Sequence, residues 1–273
     1  MFLASFSFVP HGLEPISFLV MGWLAVLLLG AAKSGFGGSI GMLSAPMMIL
    51  ACGDNSTLAN GIMLPLLIAC DYVSMALWWR KWDYKNIRLL VPGMVAGIGA
   101  GWLVLWLILS YGGGKDAAKG PSNILNLCIG TFALGFVALQ AVRSLRGEIT
   151  AFRPTHWHGA IAGSSAGFVS TLAHTAGPIT NMFLLPQQMP KGQFVATTVL
   201  YYWIGNQVKL IPYYALSLLT GVSLGADLAL LPAALGVFLH NKVNQRMFML
   251  IVYVLLAGFG GYIACTAAKA LFG

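Results

Sequence analysis

Charge is what this sequence has least of. Asp, Glu, Lys and Arg make up 8% of its 273 residues, against roughly 25% in soluble globular domains. With 58% hydrophobic residues, too little polar surface remains to coat a core, which excludes a water-soluble fold. Cysteine is scarce too. Cys52, Cys70, Cys128 and Cys265 lie inside apolar runs, with no C-x-x-C spacing and no neighbouring histidine cluster. They read as packing residues, and neither a metal nor a cofactor is implied. No nucleophile stands at a convincing spacing from a general base; His174 near Ser170 and Thr171 is the nearest approach, so no enzyme is expected. The loop GGGKDAAKG around Lys115 lacks the phosphate-loop pattern. The first residues, MFLASFSFVPHGLEP, lack the basic region of a signal peptide, so the first apolar block is expected to remain as a membrane segment.

What the chain does have is long apolar runs, near 16–32, 39–52, 58–80, 87–110, 122–143, 157–172, 175–187, 193–219, 222–240 and 247–268. About 20 such residues cross a bilayer core. The fold class is therefore an all-α polytopic membrane protein with the lipid bilayer as its medium. Two consecutive pairs, 16–32 with 39–52 and 157–172 with 175–187, contain members too short for a comfortable crossing and are broken by small polar residues. They read as broken or re-entrant helix pairs.

The net charge of +8 points to topology and not to nucleic acid, because the basic residues sit between apolar runs. Arg80, Lys81, Lys85 and Arg88 fill one loop, Arg143, Arg146 and Arg153 a second, and Lys242 with Arg246 a third. All three are expected on the cytoplasmic side of a bacterial inner membrane. Counting segments from them places both termini and the 111–121 loop on the periplasmic side.

Sliding the halves by 132 positions lays Gly35-Phe36 on Gly167-Phe168 and Pro46 on Pro178. Each half, 1–145 and 146–273, then holds five segments and opens with a short pair. An odd number makes the second half enter from the opposite face, the inverted-repeat plan of many secondary transporters, with substrate held near the midplane. Two runs at four-residue spacing, Gly93-Gly97-Gly101 and Gly159-Gly163-Gly167, predict close helix contacts. His156 and His158 around Trp157 mark the membrane surface and not a metal site.

Polar groups inside the apolar runs carry the functional reading. Lys33 stands at the first break beside Gly35, Gly37 and Gly38, which let the backbone turn and present N–H groups to an anion. The second break offers Ser170, Thr171, His174 and Thr175. Asp71 and Lys209 sit mid-segment, where an ionised side chain costs roughly 2.5–3.5 kcal/mol. On the segment of Lys209, the residues Thr198, Tyr202, Asn206, Lys209 and Tyr213 form one stripe, and Pro212 predicts a bend. An Asp71–Lys209 ion pair that merely locks two helices is the structural alternative. Charge counting weighs against it: two lysines exceed one aspartate at the midplane, and a small anionic substrate supplies the missing partner. His174 and Asp71 are the candidates for proton coupling.

These motifs, KSGFGGSIGMLSAP, LPLLIACDYVSMALWWRKWD, GFVSTLAHTAGP, FLLPQQMPKGQF and IGNQVKLIPYYAL, resemble in order and spacing the TauE/SafE-type sulfite exporter family over nearly the whole chain. The resemblance implies a helical transporter of two related halves that exports sulfite or another sulfur-containing anion. By position it puts Lys33, Asp71, His174, Gln187, Asn206 and Lys209 on the family's recurrent polar positions. The second break departs from the G-x-G-G-G form of many members. The expected ligands are Lys33, Lys209, Ser170, Thr171 and Asn206, joined by His174, Tyr202 and the three glycines, with Gln187 and Tyr213 behind them. One repeat is expected to rock against the other. A passive anion channel and an uptake permease are the alternatives, and a homodimer is compatible with the pattern without being required by it.

Overall fold

The computed structural model describes residues 9–33, 40–111, 120–146, 154–231 and 245–272. Lys115, Arg153 and Lys242, weighed above, lie outside them. The described residues form ten α-helices and no strand: α1 (Pro15–Ala31), α2 (Ser44–Ala51, after a 3-10 turn Ile40–Leu43), α3 (Ser56–Leu77), α4 (Tyr84–Tyr111), α5 (Gly120–Arg146), α6 (His156–Ala173), α7 (Gly177–Leu184, running into a 3-10 turn Leu185–Gln187), α8 (Lys191–Ala215), α9 (Gly221–Leu230) and α10 (Gln245–Phe272). Ser56–Leu77, Tyr84–Tyr111, Gly120–Val142 and Val252–Phe272 are long and apolar enough to cross a membrane. On α4 the residues Val95, Trp102, Leu103 and Trp106 are exposed, a surface suited to lipid.

Helix ends fall where capping chemistry permits. Ser17 N donates to Glu14 Oε2 at 2.9 Å ahead of Pro15, and Leu58 N donates to Asn55 Oδ1 at 3.0 Å, each satisfying an otherwise orphaned first-turn N–H. Thr155 and His158 form a reciprocal cap on α6, which gives His158 a structural duty at that helix start. Between α6 and α7 the chain reverses at His174, whose φ of 53° is left-handed, a conformation uncommon outside glycine and asparagine.

Both short pairs are hairpins. A side chain at Gly53, just past α2, would sit 3.2 Å from Leu13, just before α1, so α2 ends where α1 begins. Gly159 in the first turn of α6 lies against Leu89 of α4, and Gln187 after α7 bonds Asn86 at the same end of α4. The second pair therefore also returns to the face it entered. Since α3 leads from the base of the first hairpin to the loop before α4, the two hairpins enter from opposite ends of α3. Pro46 and Pro178 occupy the first turns of α2 and α7, where a missing N–H costs nothing.

The two glycine runs meet each other. An added Cβ would fall 2.4 Å from Ala160 O at Gly93, 2.0 Å from Ser164 O at Gly97, 2.2 Å from Leu90 O at Gly163 and 2.4 Å from Met94 O at Gly167. Only glycine permits backbone contact this close, so α4 and α6 form one tightly joined pair. A second contact between the halves packs α9 on α1, with Leu230 against Gly22. Antiparallel to α5, α10 brings Gly260 beside Gly130 and Tyr253 beside Gln140. The start of α1 and the end of α10 consequently share a face.

Candidate functional site

Lys33 and Met42 of the first hairpin and His174 to Gly177 of the second come together beside α3 and α8. Past Ala31, α1 widens into a π-type turn that carries Lys33 inward. Such turns interrupt regular backbone bonding and recur at functional sites. Lys33 forms an ion pair with Asp71 of α3, directs a second N–H toward Leu67 O at 3.4 Å and lies 5.7 Å from the centre of the Tyr202 ring. Asp71 is fully buried, and its other oxygen accepts from Asn206 Nδ2 at 2.6 Å. Its partner is thus Lys33 and not Lys209. That replaces the ion pair weighed from the sequence, because the end of α1 carries Lys33 against Leu67 and Asp71 of α3.

Lys209 is 1% exposed, and its partners are neutral: Ser170 O at 3.3 Å, Ser170 Oγ at 3.0 Å and His174 Nδ1 at 3.2 Å. The contacts fix the histidine tautomer. His174 Nε2 lies 3.3 Å from Asn60 O, and a carbonyl only accepts, so Nε2 carries the hydrogen and Nδ1 is left as acceptor for Lys209. Tyr213, buried on α8, donates to Thr171 O at 2.8 Å and offers its oxygen to Nε2 at 3.2 Å. The ring is clamped as an acceptor that orients the Lys209 ammonium.

Lys33, Ser170, His174, Thr175, Tyr202, Asn206 and Lys209 line one cavity together with the apolar Leu29, Ala32, Met42 and Leu67. It offers about 50 Å³ to water centres; one water needs about 10–15 Å³ counted that way, so a few waters or one small ion fit. Gly41 and Met42 before α2, and Ala176 with Gly177 opening α7, also line it, so the start of α7, where first-turn N–H groups favour an anion, borders the cavity. Thr175 is 5% exposed, and its hydroxyl has no partner among the described residues. Ser170 Oγ takes an N–H from Lys209, which leaves its own hydrogen free to donate.

Other sequence candidates lie elsewhere. Thr171 donates to Gly167 O at 2.8 Å and packs on Gly101, outside the cavity lining. Gln187 exchanges amide bonds with Asn86 at 2.9 and 3.0 Å, within a cluster where Asn86 also donates to Asp83 at 2.8 Å. That cluster ties the base of the second hairpin to α4 and does not touch the cavity. Gly35, Gly37 and Gly38 lie outside the described residues. On α8, the helix continues past Pro212 to Ala215. Asn60, which supplies the carbonyl for His174 and donates to Leu172 O at 3.1 Å, was missed. Its signal was available: Asn60, Leu67, Asp71 and Ser74 follow spacings of seven, four and three, one face of α3.

The family model described as sulfite exporter TauE/SafE matches residues 23–263. No curated protein and no solved structure matches the chain.

Proposed function

The chain belongs to the sulfite exporter TauE/SafE family of membrane transporters, and from that premise we propose that it exports sulfite or a related small sulfur-containing anion, such as an organosulfonate, across a bacterial inner membrane by alternating access. One observation carries the reading: Lys209 is buried among neutral partners on the wall of a cavity large enough for one small ion. Buried charge is normally paired, and an anion in the cavity completes the pair. Ser170, Thr175, Asn206 and the first N–H groups of α7 would supply its remaining hydrogen bonds.

Residues 1–145 and 146–273 act in this reading as inverted repeats. The opposed hairpins and the exchanged packing, α4 on α6 and α9 on α1, support it. Arg80, Lys81, Lys85 and Arg88 lie at the end of α3 from which the second hairpin enters, so the positive-inside rule puts that end in the cytoplasm and both termini in the periplasm. Release to either side requires the hairpins to shift against α3 and α8, which hold Asp71, Asn206 and Lys209. Of the two proton-coupling candidates, Asp71 stays committed to Lys33 and Asn206. A proton on His174 Nδ1 would remove the acceptor that orients Lys209, so His174 is the group through which protonation alters the site.

The test is sulfite counterflow in proteoliposomes. Saturable exchange is expected in the parent protein. It should be lost in Lys209→Ala, which deletes the surplus charge, and in Lys33→Ala, which frees Asp71 to neutralise Lys209. Unchanged exchange in both folded variants removes the site, and a conductance that follows membrane potential without exchange replaces the transporter by a channel.

A further inference from the structure

Charge bookkeeping at the cavity goes further than the identity of an anion. We propose that the site accepts singly charged oxyanions and excludes doubly charged ones, so that sulfite crosses as hydrogensulfite; this rests on the anion reading above. Among the described residues, four elements bring titratable groups to the cavity. The first hairpin brings Lys33, α3 brings Asp71 beside the buried thiol of Cys70, the second tip brings His174, and α8 brings Lys209 with the hydroxyls of Tyr202 and Tyr213. Neither α2 nor α7 contains a titratable residue, and positions 34–43 contain none either.

Two cations against one carboxylate leave a single positive charge, and the contacts locate it. Lys33 is matched by Asp71. His174 holds its hydrogen on Nε2 toward Asn60 O and meets Lys209 with a lone pair. The surplus is therefore on Lys209 alone. A monoanion beside it makes the cavity neutral. A dianion would bring in a second negative charge with no second unpaired cation among the described lining residues, and an uncompensated buried charge costs several kilocalories per mole.

The free donors fit one charged oxygen group. Among the described residues the Thr175 hydroxyl is buried without a partner, the Ser170 hydrogen is released by the bond from Lys209, and both residues line the cavity. An alkylsulfonate would place its carbon against the apolar lining residues. Export of hydrogensulfite moves a proton with the anion, so net proton movement needs no titrating protein group.

Counterflow of three probes on either side of the second ionisation of sulfurous acid tests this. Methanesulfonate, a monoanion at both values, should lose none of its exchange as pH rises. Sulfite exchange should fall with rising pH in proportion to the hydrogensulfite fraction, and sulfate should be carried roughly 100-fold less well than methanesulfonate. Thr175→Val should raise the KM for methanesulfonate about tenfold while Thr175→Ser restores it, a contrast that a packing role would not produce. Sulfite exchange that holds or rises with pH, sulfate carried as well as methanesulfonate, or methanesulfonate exchange that itself falls with pH overturns the charge selectivity and leaves anion transport standing. Exchange of none of the probes overturns both.

Discussion

Adding a single methyl group at Gly97 should damage the fold more than adding one two residues away. At Gly97 the new Cβ would lie 2.0 Å from Ser164 O and 2.7 Å from Ser164 C. Carbon and oxygen ordinarily approach to about 3.3 Å, so α4 and α6 must part by about 1 Å. A gap of that size forfeits a quarter to a half of the dispersion energy of each contact along the seam, and overpacking typically costs about 1–3 kcal/mol. Alanine recovers at most about 1 kcal/mol in helix propensity. At Gly99 nothing lies within 4 Å of an added Cβ, so only the propensity gain applies. In detergent, Gly97→Ala should lower the thermal midpoint by about 3–10 °C and Gly99→Ala should leave it unchanged or raise it. Equal midpoints for the two variants would refute the backbone-tight seam on which the placement of the second hairpin depends.

The remaining predictions concern the polar interior. Asp71→Asn leaves Lys33 buried and unpaired and should destabilise by about 3–5 kcal/mol, with partial recovery in Lys33→Met/Asp71→Leu; chemical denaturation of the single and double variants checks it. His174→Asn keeps a residue that tolerates the left-handed turn but no longer reaches Lys209, so folding should persist while counterflow is lost. Gln187→Ala removes the amide exchange with Asn86 and should cost about 1–3 kcal/mol in a double-mutant cycle with Asn86→Ala, with sulfite affinity unchanged because the pair does not touch the cavity.

Much of the architecture was legible because apolar runs are local. The long segments read near 58–80, 87–110 and 122–143 became α3, α4 and α5, and both broken pairs were visible because each contains a member too short for a comfortable crossing. That they return to their own face depends on Leu13 meeting Gly53 and on Asn86 meeting Gln187, contacts between residues remote in sequence. For the same reason charge counting exposed the surplus cation but not which lysine held it: the partner of Asp71 is set by where the end of α1 carries Lys33. The glycine spacings announced close helix contact without revealing that the two runs face each other. Thr171 could have been separated from Ser170 by geometry alone, since adjacent residues on a helix point to different faces. Gln187 entered through motif position, which carries no depth.

The account depends on Lys209 pairing with an anion, and sulfite-dependent stabilisation of the detergent-solubilised protein tests that without a transport assay. A ligand that binds only the folded state adds about 2.7 kcal/mol at 100 times its dissociation constant. The parent protein should show a saturable rise in thermal midpoint with sulfite, and folded Lys209→Met should show none. An equal rise in both proteins would contradict the central claim.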